Sequence, residues 1–228
     1  QLSLEGTKKI HDNIRGEGTF DKTIKAINLL EKRGIKTMVN MTLTNENINE
    51  IIPLIRLLSE TKLSRFDFVR VTPIGKSKKE IKNLINPYDF KKILMDIINT
   101  EEEIQKYNKK LQIGKKDHLW KLLYFENNRL RIDLDEMAYG CGMGYRHLTF
   151  LPNGDILLCR KIDKKIGNIF KDDLVSIYQK NKIIKEILKN NLIKGCKKCK
   201  LKQVCRGCPS TSYAIYNNFN EKDPQCWI

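Results

Sequence analysis

The apolar residues of the first hundred positions switch back and forth between two periods, and that switching restricts the fold more than any other feature. Residues 1–5, "IKTMVNMTL" (35–43) and "RFDFVRVT" (65–72) read as strands. Phe20, Ile24, Ile27 and Leu30 recur at helical spacing between the first two. Ile48, Ile51, Ile52, Ile55 and Leu58 do so between the second and third, and Phe90, Leu94, Ile97 and Ile98 after the third. Gly34 supplies a stop for the first helix. Pro53 marks either a kink in the second or its first turn. The order β-α-β-α-β-α is that of parallel strands joined by crossover helices. Three such units neither close a barrel nor complete a typical doubly wound sheet. The chain opens on Gln1 and runs straight into an alternating pattern, so earlier units are expected upstream.

Beyond residue 100 the pattern weakens. "DHLWKLLYF" reads as a short helix and "LRIDLDE" as a short strand. From Cys141 the composition changes, and all seven cysteines fall between Cys141 and Cys226. This predicts two domains, 1–120 and 121–228. Lys and Arg number 43 against 27 Asp and Glu, a formal charge of +16. Such a balance raises nucleic acid or an acidic partner. The lysines are scattered through an Ile- and Asn-rich chain, however, so a solvated surface is the simpler account. No run of about 18 apolar residues is present, so no membrane span is expected, and the polar start is unlike a signal peptide. An odd number of thiols without a leader fits a reducing cytoplasm and metal ligation better than disulfides.

The thiols are concentrated in "GCKKCKLKQVCRGCP" (195–209), where Cys196, Cys199, Cys205 and Cys208 form C-x2-C-x5-C-x2-C. A zinc knuckle would use these four and leave Cys141, Cys159 and Cys226 unexplained. Two [4Fe–4S] clusters at four thiolates each would use all seven and lack one ligand. Upstream, "HLTFLPNGDILLC" is a hairpin signal around Pro152-Asn153-Gly154. A three-residue loop sets Leu151 opposite Asp155, Phe150 opposite Ile156 and His147 opposite Cys159. A two-residue Asn153-Gly154 turn would instead set Leu148 opposite Cys159. The first is preferred, because Pro152 has no N–H for the narrower hairpin. "GNIFKDDLVSIYQKNKIIKEIL" (167–188) reads as a turn followed by one or two helical segments.

Taken together, Cys141, Gly154, Cys159, Cys196, Cys199, Cys205, Cys208 and Cys226 resemble the SPASM domain of radical S-adenosylmethionine (SAM) enzymes. "KIGNIFKDDLVSIY" is similar to the stretch between that domain's second and third cysteines. "LSLEGTKKIHDNIRGEGTFDKTIKAINLL" resembles the fourth βα unit of the radical SAM partial barrel, with its SLDG, HD and RG elements. The resemblance implies an α/β fold, the C-terminal half of a partial (βα)6 barrel, followed by a small Cys-rich SPASM domain with a hairpin and helices. It implies Cys196, Cys199, Cys205 and Cys226 around an outer auxiliary [4Fe–4S] cluster and Cys141, Cys159 and Cys208 around an inner one, with His147 a candidate fourth ligand. Ser3 and Arg15 match positions that contact SAM. The CxxxCxxC motif for the catalytic third cluster is absent from these residues, so this chain alone is expected not to cleave SAM.

The resemblance further implies a peptide or protein substrate receiving an oxidative modification, such as a thioether or carbon–carbon crosslink. Lys194, Lys197, Lys198, Lys200, Lys202 and Arg206 would offset the charge of the outer cluster and dock an acidic electron donor such as flavodoxin or ferredoxin, with a solvated face as the equal alternative. Three departures stand out. Glu5 replaces the usual Asp. Two residues rather than three separate Cys205 from Cys208. Arg160 follows Cys159 where sulfatase-maturing members have Asp, which argues against that activity. A heme- or small-molecule-modifying member of the same family, and a zinc-binding basic nucleic-acid module, are the rival expectations.

Overall fold

The computed structural model describes residues 1–75, 81–107, 110–127, 140–144, 146–188, 193–202 and 204–228. The chain forms two compact units. One comprises Gln1–Val71, Asn83–Trp120 and Trp227; the other comprises Thr72–Lys82, Lys121–Cys226 and Ile228. Among the described residues no helix is long and apolar enough to cross a membrane.

The first unit is built on a parallel sheet in the order β1 (Leu2–Ser3), β2 (Met38–Leu43), β3 (Arg65–Arg70) and β4 (Gln112–Ile113). Helices α1 (Lys8–Arg15), α2 (Thr19–Lys32), α3 (Ile51–Ser59) and α4 (Pro87–Ile104) lie along the connections. Gly34 ends α2 with φ 72, its N–H reaching Glu31 O, while Ile35 N–H reaches Leu30 O. Pro53 lies in the first turn of α3, where no intrahelical N–H is needed. Asn86 caps α4 by accepting Tyr88 N–H at 2.9 Å. The fourth strand was not expected. With two residues, Gln112–Ile113 is too short to show a period, and its place is fixed by pairing Arg65↔Gln112 and Phe66↔Ile113.

One face of the sheet is apolar: Leu4, Val39, Met41, Leu43, Phe66 and Phe68 are buried, as are Ile27, Leu54, Ile55, Leu58, Phe90 and Leu94 of the helices. The other face is polar. Ser3, Asn40 and Asp67 are in mutual register, with Thr42 two residues further along β2. Parallel sheets covered by helices on both faces read as continuous apolar runs. The alternation in "MVNMTL" and "RFDFVR" therefore marks a sheet whose second face is polar.

At the C-terminal end of β3, Arg70 is buried and pairs with Asp117 through Nε–Oδ2 at 2.7 Å and Nη2–Oδ1 at 3.2 Å. Its guanidinium also lies 5.1 Å from the centre of the Phe90 ring. Burial pushes the Asp117 carboxyl up, but the Arg70 charge and hydrogen bonds, with Leu119 N–H, outweigh it and leave it below 3.8. A depressed carboxylate contributes stability that is complete above the unfolded value and lost as pH falls through the folded one. Asp117→Asn is therefore expected to cost about 3 kcal/mol at neutral pH and to flatten the acid decline of stability below about pH 4. Urea unfolding of both proteins across pH 2–7 reads this, and parallel pH curves would count against it.

The second unit holds an antiparallel sheet, β5 (Thr149–Phe150), β6 (Asp155–Leu157) and β7 (Lys165–Asn168), and helices α6 (Leu174–Lys180), α7 (Lys182–Leu188) and α8 (Pro209–Tyr216). A further helix, α5 (Trp120–Glu126), begins at the fourth residue of the segment read as "DHLWKLLYF". Met143, Ile156, Leu158, Ile162, Ile177, Ile184, Ile187 and Phe219 form the core. The hairpin has the three-residue register: Phe150 pairs with Ile156, Leu151 N–H donates to Asp155 O, and Gly154 has φ 81. Strand β7 takes in only the first two residues of the 167–188 segment; the expected turn follows at 169–172, where Lys171 and Asp172 N–H donate to Asn168 O, and leads into α6. The two helices are separate because Asp173 caps α6 and Asn181 Oδ1 accepts Ile183 and Ile184 N–H at the start of α7. The "LRIDLDE" strand lies outside the described residues.

Candidate metal centre

All seven cysteines are free thiols. The second unit brings six of them into two trios. The Cys141 thiol feels Cys208 and Cys159 as charged neighbours. The Cys196 thiol feels Cys226 and Cys199, and Cys226 feels Cys199 in turn. Burial, joined by these like charges, pushes Cys141 and Cys196 up to about 11; burial raises Cys226 as well. Thiols crowded and desolvated this way ionise only when something positive joins them, which is what a metal centre supplies. Cys205 is buried, with the Lys121 ammonium as its charged neighbour.

The backbone around the thiols is folded for sulfur. Lys161 N–H points at Cys159 Sγ (3.5 Å), Leu201 N–H at Cys199 Sγ (3.4 Å) and Gly207 N–H at Cys205 Sγ (3.4 Å). In each case the donor lies two residues after the cysteine. Such hydrogen bonds favour thiolate over thiol and tune a metal held there. Cys208 is the N-cap of α8, with Pro209 in the first turn. Asp223, not anticipated from sequence, joins the two trios. Its Oδ2 accepts Cys208 N–H at 2.8 Å, its Oδ1 accepts Gln225 N–H and its carbonyl accepts Cys226 N–H. A Cβ on Gly207 would lie 2.5 Å from Asp223 Cβ, so only glycine leaves room for this contact.

The donor set fits iron–sulfur clusters: thiolates in two groups, each backed by N–H donors. Among the described residues no three His, Cys, Asp or Glu side chains converge tightly enough to hold one ion. His147 is exposed and pairs with Met143 in an isolated bridge. The hairpin ladder is formed from Thr149↔Leu157 to the loop, so the expected His147–Cys159 pairing is not part of it. Lys194, Lys197, Lys198, Lys200 and Lys202 are exposed. Arg206 corrects an expectation: it is buried, because its stem packs into the turn instead of joining that basic surface.

In the first unit, the residues expected near SAM lie at the end of β1. Ser3 is half-buried on the polar face. Arg15, at the last turn of α1, donates through Nε to Glu5 Oε1 at 3.1 Å and pairs with it through Nη2 as well. Glu5 is buried; its Oε2 accepts Thr42 N–H at 2.8 Å and its N–H donates to His11 Nδ1 at 3.0 Å. Asp12 accepts Phe20 N–H at the start of α2. The Glu-Gly, His-Asp and Arg-Gly elements thus lock one another into a single corner at the C-terminal end of the strand, the end where parallel α/β barrels carry their active sites.

An iron–sulfur cluster-binding domain model, SPASM, matches residues 141–209. An AdoMet-dependent heme synthase of Methanosarcina barkeri is 24% identical over 238 residues, covering 99% of this chain and 66% of its own length. The sporulation killing factor maturation protein SkfB of Bacillus subtilis is 22% identical over 186 residues, covering 81% of this chain and 41% of its own. Streptococcus suis SuiB bound to S-adenosylmethionine superposes with a TM-score of 0.72 at 24% identity, covering 100% of this chain and 53% of SuiB. The chain thus spans less than two thirds of the length of these relatives. The cysteine pattern, the two thiol trios and the parallel sheet with its polar face agree with these likenesses: residues 141–209 match a SPASM iron–sulfur cluster-binding domain, and the chain as a whole has the fold of the radical SAM/SPASM structures it is similar to.

Proposed function

We propose that this chain is part of an enzyme that oxidatively modifies a ribosomally made peptide or a protein side chain, with two auxiliary [4Fe–4S] clusters seated in the second unit. Cys141, Cys159 and Cys208 hold the inner cluster, with His147 a candidate fourth ligand; Cys196, Cys199, Cys205 and Cys226 hold the outer one. The observation that carries this is the sorting of thiols into two trios. SAM, when bound at a reduced catalytic cluster, supplies a 5′-deoxyadenosyl radical for hydrogen abstraction. In this chain, Ser3 contributes a hydroxyl toward SAM, and Arg15, oriented by Glu5, contributes a guanidinium suited to a carboxylate. The auxiliary clusters supply one-electron redox capacity. An acidic flavodoxin or ferredoxin docks on the exposed lysines around Cys196 and Cys199 in a reducing cytoplasm. The peptide substrate is supported by SuiB, which is also solved with its precursor peptide SuiA. Porphyrin chemistry is the second reading, favoured by the heme synthase relative aligned over 99% of this chain.

Anaerobic reconstitution tests the metal content. About eight iron and eight sulfide per chain are expected, with a brown protein. One or two zinc ions without sulfide would sink the proposal. Crosslinking mass change on a precursor peptide, against turnover of an iron porphyrin, separates the two substrates.

A further inference from the structure

A turn of four residues, Cys205 to Cys208, carries the chain from one thiol group to the other, and its second residue is a buried cation. Arg206 is 7% exposed and has φ 66, a left-handed conformation that side chains with a Cβ seldom adopt. Its guanidinium donates to the carbonyl of Ile187 and, at 3.5 Å, to that of Cys141. Its stem fills the space over Gly140, where a Cβ would lie 2.9 Å from Arg206 Cγ and Cδ and 2.8 Å from the Cys205 carbonyl. The fold accepts a costly backbone conformation and two close approaches to put this charge next to Cys141.

We propose that Arg206 sets the reduction potential of the centre held by Cys141, Cys159 and Cys208 and holds Cys141 in position for it. This rests on the cluster reading above. Reduction adds an electron to a group already ringed by thiolates, and a fixed cation in a water-poor site favours that reduced state. Arginine keeps its charge at any working pH, so the effect does not titrate away. The other nearby charges act differently. Lys222 and Asp223 oppose each other at Cys196 and Cys226. Lys121 neighbours Cys205. Arg206 is thus a positioning residue for the inner centre.

The test is an EPR-monitored dithionite titration of the reconstituted full-length protein, the inner signal being identified by its loss in Cys141→Ser. Arg206→Gln is expected to weaken one-electron reduction of the inner centre at least tenfold, a shift of about 59 mV to lower potential. Arg206→Lys should recover most of that shift, and the outer centre should stay put. Full loading of Arg206→Gln with an unchanged inner potential overturns the proposal. Should Arg206→Gln lose the inner cluster, loading by Arg206→Lys supports a need for charge, and equal loss in both overturns it in favour of shape alone. A wild-type protein that takes up no iron and sulfide sinks the cluster reading instead, so the two failures are distinguishable.

Discussion

Gly114→Ala is expected to cost about 3–5 kcal/mol, most of the stability a domain of this size commands. A Cβ at position 114 would overlap Asp67 Oδ1, lie 2.5 Å from Asp67 Cγ and 2.8 Å from Arg65 Nη2. The backbone cannot back away, because Gly114 N–H extends the parallel ladder to Phe66 O at 2.8 Å. The carboxylate cannot move cheaply either. Asp67 is 2% exposed and is held by Arg65 at 3.0 Å and Lys116 at 2.7 Å. Evicting it leaves a buried charge cut from both partners on top of the overpacking strain. Space decides the rescue. Asp67→Ala removes the obstructing atoms, and Arg65 and Lys116, 35% and 62% exposed, can return their charges to water. The double variant is therefore expected to be more stable than Gly114→Ala by about 2 kcal/mol. Urea unfolding of the four proteins measures this. Simple additivity would mean that the carboxylate does not lie over the glycine.

That contact shows where the sequence stopped being legible. The strand and helix order, the Gly34 stop and the hairpin register followed from residue periods and turn chemistry, which are local. Gly114 is one glycine in "QIGKK", and nothing local distinguishes a glycine that admits a carboxylate from one that merely turns the chain. The polar sheet face was written more openly. Asn40, Thr42 and Asp67 break what should have been continuous apolar runs, and the alternation served only to identify strands. At the candidate metal centre, the number of cysteines raised two clusters beside a zinc knuckle, and the division of the ligands into two sets came from the family resemblance rather than from spacing. The devices that arrange them were hidden, because they depend on backbone geometry: N–H donors two residues past three cysteines, the left-handed Arg206, and Asp223 closing on Gly207. The Glu5 departure became intelligible only with distances. Its carboxylate spans Thr42 N–H and Arg15 at once.

Cys208→Ser is expected to remove the same cluster as Cys141→Ser and to leave intact the one lost in Cys196→Ser and Cys226→Ser. Each variant should fall from about eight irons to about four. The prediction cuts across the sequence, in which Cys208 belongs to the compact run with Cys196, Cys199 and Cys205, and Cys226 stands apart. Geometry groups them otherwise. Cys208 ends the left-handed Arg206-Gly207 turn, which redirects the chain, and its thiol neighbours Cys141. Cys226 is drawn back by its N–H to Asp223 O, and its thiol neighbours Cys199. A four-thiol knuckle predicts the opposite result: Cys208→Ser would abolish the metal bound by the run, and Cys226→Ser would change nothing. Iron and sulfide analysis with EPR of the four variants separates the two patterns. Serine is chosen because it keeps the volume of the side chain while removing the soft sulfur donor, so folding of the apo chain is preserved. Should Cys208→Ser and Cys196→Ser abolish one and the same signal, the crossing between Cys205 and Cys208 does not exist.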